Sequence, residues 1–331
     1  MLRKKILLLS VMIAANMYAQ GVTDVHSHII TPEFLSALEG EGRLLDEGFP
    51  LPQYDAEAHL RWMDEAGVQT SVLTLAAPQP TSAKVVRSTN EAAARLKTEH
   101  PGRFLFCAAL PLPDVDAAIR EAIYTLDTLK ADGIKLATNV QGQYLGAPEL
   151  DTLFSVLNER RAVIILHPHR PEPVNRQVMQ QTPLAMQEYL SETTRAVSNM
   201  ISRNVLARYP NAKVVVPHCG AYLPLAIPRM KSLTPVMQKN KMVGEIDYEA
   251  NLAALYYDLA GAHAPEVIRM LLSITTPDHL LYGSDYPYVA PQVLTQSLRR
   301  MKQYLTTEAD LAPYRELILW KNAQQLFQIK Q

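Results

Sequence analysis

Five side chains able to bind a divalent cation fall where predicted strands end. His26 and His28 close the segment Gly21-Val-Thr-Asp-Val-His-Ser-His28, and His167 follows Val163-Ile-Ile-Leu166. His218 follows Val214-Val-Val-Pro217, and Asp285 follows Leu280-Leu-Tyr-Gly-Ser284. Alternation along a strand puts His26 and His28 on the same side. Pro168, between His167 and His169, stops the second pair from being continued strand. Imidazoles turned into a sheet interior without partners would cost roughly 1–3 kcal/mol each, so their presence there points to an ion. Three neutral imidazoles and a carboxylate leave room for a water, as in catalytic rather than closed sites. Zinc suits this set best, and manganese and iron are the alternatives, because the donors are nitrogen and oxygen rather than thiolate. A bound divalent ion lowers the pKa of its water to about 7. His218 is placed to hydrogen-bond that water and to move a proton.

Such residues meet only if the strands carrying them share one end. Predicted strands fall at 21–28, 68–75, 104–110, 134–137, 163–166, 213–216, 255–258 and 280–282, each rich in β-branched or apolar residues. Helical patterns separate them at 55–66, 83–99, 114–131, 149–160, 184–208, 223–238 and 265–273, with two more after 291. Asp114 is placed to cap the helix that runs to Ala131, after the third strand. Strict alternation requires parallel neighbours joined by crossovers, and eight units predict an α/β fold, a (β/α)8 TIM barrel. An open doubly wound sheet competes, but no Gly-x-Gly-x-x-Gly turn is present to receive a dinucleotide. In a barrel all strand C-termini converge on one face, where chemistry is done. The stretches 38–54 and 170–183 read as insertions over that face.

Composition removes other classes. The 331 residues are 48% apolar, with 32 Lys+Arg against 33 Asp+Glu; this argues against disorder and, lacking a basic surplus, against nucleic-acid binding. Two cysteines, Cys107 and Cys219, make no disulfide framework. The N-terminus has the three parts of a secretory signal peptide: cationic Met1-Leu-Arg-Lys-Lys5, an apolar run to Ala15, and a small residue at Ala19. That run is too short to span a membrane. Residues 1–19 are therefore expected to be removed, leaving one domain over 20–331, exported to the periplasm or secreted and without stable membrane insertion.

With the motifs in view, the chain resembles the amidohydrolase superfamily. It is most similar to the amidohydrolase-related branch that contains aminocarboxymuconate-semialdehyde decarboxylase and 6-methylsalicylate decarboxylase. The matching segments are Asp24-Val-His26-Ser-His28, Met63-Asp-Glu-Ala-Gly-Val68, His167-Pro168, Glu192-Thr-Thr-Arg195, His218-Cys-Gly-Ala-Tyr-Leu-Pro224 and Gly283-Ser-Asp-Tyr-Pro287, with Asn322-Ala-Gln-Gln-Leu-Phe327 like the closing helix. The resemblance implies metal ligands at His26, His28, His167 and Asp285, and His218 as the catalytic histidine. It also implies that Arg229 reaches the substrate carboxylate of a neighbouring subunit, hence a homodimer. The chain departs from the family in having Cys219 where the pattern after strand 6 is glycine-rich.

Other residues are read individually. His169 and Arg170 lie just past strand 5 as substrate contacts, Arg170 being suited to pair a carboxylate bidentately. Lys135 lies early in its strand and reads as salt-bridged or solvent-facing, which leaves a single-metal site. Asp24 is expected to support the site indirectly. His59, His100, His263 and His279 read as surface or structural.

The expected activity is non-oxidative, metal-dependent decarboxylation of a small aromatic or unsaturated carboxylic acid, a carboxy-lyase reaction. The ion would hold the carboxylate and a neighbouring oxygen, and His218 or Asp285 would deliver the proton. The competing reading is a metal-dependent hydrolase of a lactone, ester or amide. A binding protein with a degenerate site is disfavoured, because no expected ligand is missing.

Overall fold

The computed structural model describes residues 21–40, 45–46, 49–75, 82–175, 177 and 181–329. The expected signal segment, and parts of both expected insertions, lie outside these residues. Eight strands form one sheet in sequential order: β1 (Val22–Ile29), β2 (Val68–Leu75), β3 (Phe104–Ala109), β4 (Gly133–Ala137), β5 (Val163–His167), β6 (Lys213–Val216), β7 (Leu255–Asp258) and β8 (Leu280–Leu281). Every adjacent pair is parallel. The first and last strands also meet. Val25 N–H donates to Tyr282 O at 3.0 Å, Asp285 N–H to His26 O at 2.8 Å and His28 N–H to Tyr286 O at 2.7 Å. These bonds turn the sheet into a nearly closed barrel.

Helices cross between the strands: α1 (Pro32–Gly40), α2 (Ala56–Ala66), α3 (Ala83–Glu99), α4 (Val115–Asp127), α5 (Asp151–Glu159), α6 (Glu188–Ser202), α7 (Leu223–Lys239), α8 (Pro265–Leu271) and α9 (Pro291–Thr307). Local signals set their ends. Asp55 and Asp114 accept the N–H groups of Ala58 and Ala117, satisfying donors that have no partner within the helix. Gly67, at φ 73°, stops α2 in the left-handed conformation that glycine adopts freely. Helix α1 and the short ribbon of Asn139–Val140 with Gln143–Tyr144 are not foreshadowed by the sequence pattern.

The strands are covered on both faces, so they are apolar almost throughout. β5 and β6 are buried along nearly their whole length. Inside the ring, Val25, Val72, Cys107, Ile165, Val215 and Leu281 pack as one layer, with Ala323 and Phe327 closing it from below. This layer floors the barrel and leaves its opposite end for polar side chains. No described helix is long and apolar enough to cross a membrane.

Lys135 corrects an expectation. It is 1% exposed and pairs with Ile165 in the register of β4 and β5, so it does not face solvent. It lies close enough to His28 and His167 to disfavour their protonation. Position along a strand misjudged it; strand parity decides which face a side chain takes.

Candidate metal centre and active site

Three strand ends of the ring, those of β1, β5 and β8, bring His26, His28, His167 and Asp285 together, with donor atoms all within 4.8 Å of one another. The imidazole centroids are 5.1 Å apart for His26 and His28, and 4.7 Å for His28 and His167. Three of the four side chains are buried.

Each imidazole is held through its other nitrogen. His26 Nδ1 donates to Asp258 Oδ2 at 2.8 Å. Thr74 Oγ1 donates to Ser27 O, so it accepts from His28 Nδ1 at 3.0 Å. Pro168 O accepts from His167 Nδ1 at 3.0 Å. With Nδ1 the donating nitrogen in every ring, Nε2 is the ligating atom, available in neutral His28 and His167 and, in His26, once its second proton leaves; outer partners orient metal-bound histidines in this way. His26 Nε2 is buried and makes no hydrogen bond; it stands 3.5 Å from Asp285 Oδ1. An orphaned buried nitrogen beside a carboxylate is what a site for one divalent cation requires, and the donor set fits zinc, manganese or iron.

The protonation states agree. Burial lowers His28 to about 4 and takes His167 well below the ordinary histidine value, so both are neutral at pH 7. Burial also opposes charge on His26, but the Asp258 and Asp285 carboxylates outweigh it and raise this histidine. Asp285 is likewise pushed up by burial and more strongly down by His218, His26 and His28, and is ionised. A cation entering the site competes with the proton on His26, which makes its affinity pH-dependent.

His218 stands beside this group, its Nε2 3.8 Å from Asp285 Oδ2 and its ring 5.1 Å from His26. Asp258 fixes it from the backbone by accepting its N–H at 3.1 Å. The loop bearing it is strained: His218, Cys219 and Ala221 have φ of 54°, 57° and 53°, and Asp285 has 68°. Non-glycine residues held there cost of order 1–3 kcal/mol each and collect at functional sites. Gly283 is required for another reason, since a Cβ there would sit 2.8 Å from His26 Cβ and 3.1 Å from Asp258 Cβ.

A cavity of about 650 Å3 opens above these groups and reaches His167, His218 and Asp285. Tyr189 and Tyr288 line it with their rings edge-on to His167 and His28, at 6.3 and 5.3 Å. Cys219 is a wall residue, with Sγ 3.5 Å from Ala260 O. His263, expected to be surface or structural, is exposed and also lines the cavity. His169, Arg170 and Arg229 are not among the lining residues. His169 is buried, its N–H donating to Thr138 Oγ1 at 3.0 Å. Arg170 pairs with Glu172 at 3.2 Å, and Arg229 is exposed on α7.

Asp24 supports the site from behind: one of its oxygens accepts from His26 N and Ser284 N, the other from Ser284 Oγ at 2.6 Å. Burial raises its pKa to about 6. Asp258 and Thr74 carry ligand-orienting roles that the sequence reading did not assign. For Asp258 a signal was available, because it ends β7 as the other site residues end their strands.

Fold and site together define a metal-dependent (β/α)8-barrel enzyme. The profile of the family described as Amidohydrolase matches residues 23–329, and the chain belongs to that family. It is 33% identical to decarboxylase yanB of Aspergillus niger over 300 residues, covering 85% of this chain and 81% of that protein. It is 30% identical over 275 residues to 6-methylsalicylic acid decarboxylase of Penicillium expansum, covering 80% and 84%. Among solved structures, an amidohydrolase II aligns at TM-score 0.83 and 28% identity, over 93% of this chain and 99% of that one.

Proposed function

We propose that the protein is a non-oxidative decarboxylase of a small aromatic carboxylic acid, with one divalent ion held by His26, His28, His167 and Asp285. The observation carrying the metal site is the convergence of three oriented imidazoles and an ionised carboxylate at the inner end of a cavity. Decarboxylation rather than hydrolysis is supported by relatives of 30% identity or more that are named decarboxylases.

When bound by His26, His28, His167 and Asp285, the ion would supply Lewis acidity toward the substrate carboxylate. The chain's own residues do the rest. Tyr189 and Tyr288 flank the ring. The His218–Asp285 pair delivers a proton to the ring carbon bearing the carboxylate. The bond from that carbon to the carboxylate then breaks, its electrons return to the ring, and CO2 leaves. One carboxylate anion and one proton give one arene and one CO2. Zinc is the proposed ion on donor chemistry; manganese is the strongest alternative, since a dihydroxybenzoic acid decarboxylase with 19% identity to this chain was crystallised with it.

The acting form is proposed to be a homodimer in which Arg229 of one subunit faces the substrate carboxylate of the other. Support comes from α7, where Arg229 forms no ion pair among the described residues and shares an exposed face with Leu225, Leu233 and Val236. Export after removal of residues 1–19 rests on the N-terminal pattern alone, and recovery of the shortened chain outside the cytoplasm tests it.

The deciding experiment loads the purified protein with Zn(II) or Mn(II) and offers hydroxybenzoic acids and aryl lactones. CO2 release matching loss of the acid supports the proposal; acid production from a lactone without CO2 overturns it. His218→Asn is expected to abolish turnover while retaining the ion. Arg229→Ala is expected to raise KM about tenfold, in keeping with the loss of one charged hydrogen bond to a carboxylate.

A further inference from the structure

The metal end accounts for a minor part of the cavity. At about 650 Å3 it lies within the range that encloses drug-sized ligands, well beyond what one aromatic ring occupies. Its outer walls are apolar and come from separate segments. Met186 stands between β5 and α6, Leu190 on α6, Val267 and Met270 on α8, and Val289 after β8. Met186 and Met270 are 64% and 45% exposed, although neither gains core packing by being there. Among the described lining residues, Asp285 is the only acid, and there is no lysine or arginine. Within one subunit, a second carboxylate on the substrate therefore has no lysine or arginine among the described lining residues to meet. Exposed apolar surface gathered at a cavity marks a binding site, and methionines adapt to ligands of varied shape.

From this we infer that the outer cavity is a subsite for an alkyl substituent, so that the preferred substrates are aromatic monocarboxylic acids bearing a chain longer than methyl. The inference rests on the decarboxylase reading for its reaction but not for its binding energetics. Each methylene moved from water into an apolar wall strengthens binding about three- to fourfold.

The test uses the full chain loaded with Zn(II) and two series from methyl to pentyl: 6-alkyl-2-hydroxybenzoic acids, and the 3-alkylphenols they would yield. The expected result is that kcat/KM for CO2 release rises about three- to fourfold per methylene up to propyl, through KM. The Kd of the phenols, measured by calorimetry without turnover, should fall with the same slope. Met270→Lys should reduce the pentyl-to-methyl ratio of phenol affinity at least tenfold, with the sedimentation coefficient unchanged. A flat phenol series overturns the subsite, whether or not CO2 is released. A sloped phenol series with no CO2 from any acid keeps the subsite and overturns only the decarboxylase reading. A variant that keeps the slope but changes its sedimentation shows that the methionines serve subunit contact, which also overturns the subsite.

Discussion

Two buried histidine environments differ in a single respect. His26, at the open end of the barrel, and His59, on α2, are both almost wholly buried, and each has an Nε2 without a hydrogen-bond partner. Around His26, two other imidazoles and a carboxylate converge within 4.8 Å. Around His59 there are rings: Tyr286 stacked at 4.0 Å, with Phe104 and Trp62 at 5.2 and 5.8 Å. Burial lowers His59 to about 3, whereas carboxylates raise His26 against the same burial. Burial does not make a ligand; convergence of donors does.

The largest expected effect breaks the convergent set. His167→Ala or Asp285→Ala should leave the purified protein with little metal by elemental analysis and turnover below detection. A variant that kept both would remove the metal centre from the mechanism. Next is the partner that orients His26. Asp258→Ala should weaken metal affinity about 10- to 100-fold, as loss of such partners does, seen in a competitive chelator titration. Unchanged affinity would mean that the imidazole is held well enough by packing alone.

The smallest effect belongs to His59. His59→Leu should leave metal content and kcat unchanged but alter the response to acid. In the unfolded chain His59 takes up a proton near pH 6.5, and in the folded protein only near 3. The unfolded state therefore binds more protons between those values, and stability falls as pH falls. From pH 7 to pH 5 the native protein should lose about 2 kcal/mol more than the variant, measured by urea unfolding of metal-loaded samples. Equal losses would show that His59 is not the buried neutral group described.

The sequence made the eight strands and their ends legible, because runs such as Val163-Ile-Ile-Leu166 fit strands covered on both faces and little else. The ligands were legible for the same reason, each standing at such an end. Tyr189, Tyr288 and the methionine walls were not, because they lie in a loop, a short turn or on helix positions whose approach to the cavity depends on tertiary packing. The solvent-facing alternative for Lys135 failed because a five-residue strand gives too little alternation to fix its parity. His263 was set aside because it lies five residues beyond the end of β7, where a loop returns it to the cavity.

The bonds between Asp24 and Ser284 join positions 260 residues apart, and Asp285 follows directly. A nascent chain thus holds three imidazoles long before the carboxylate that completes the set has been synthesised. The four-donor set is therefore complete only once the eighth strand has docked against the first.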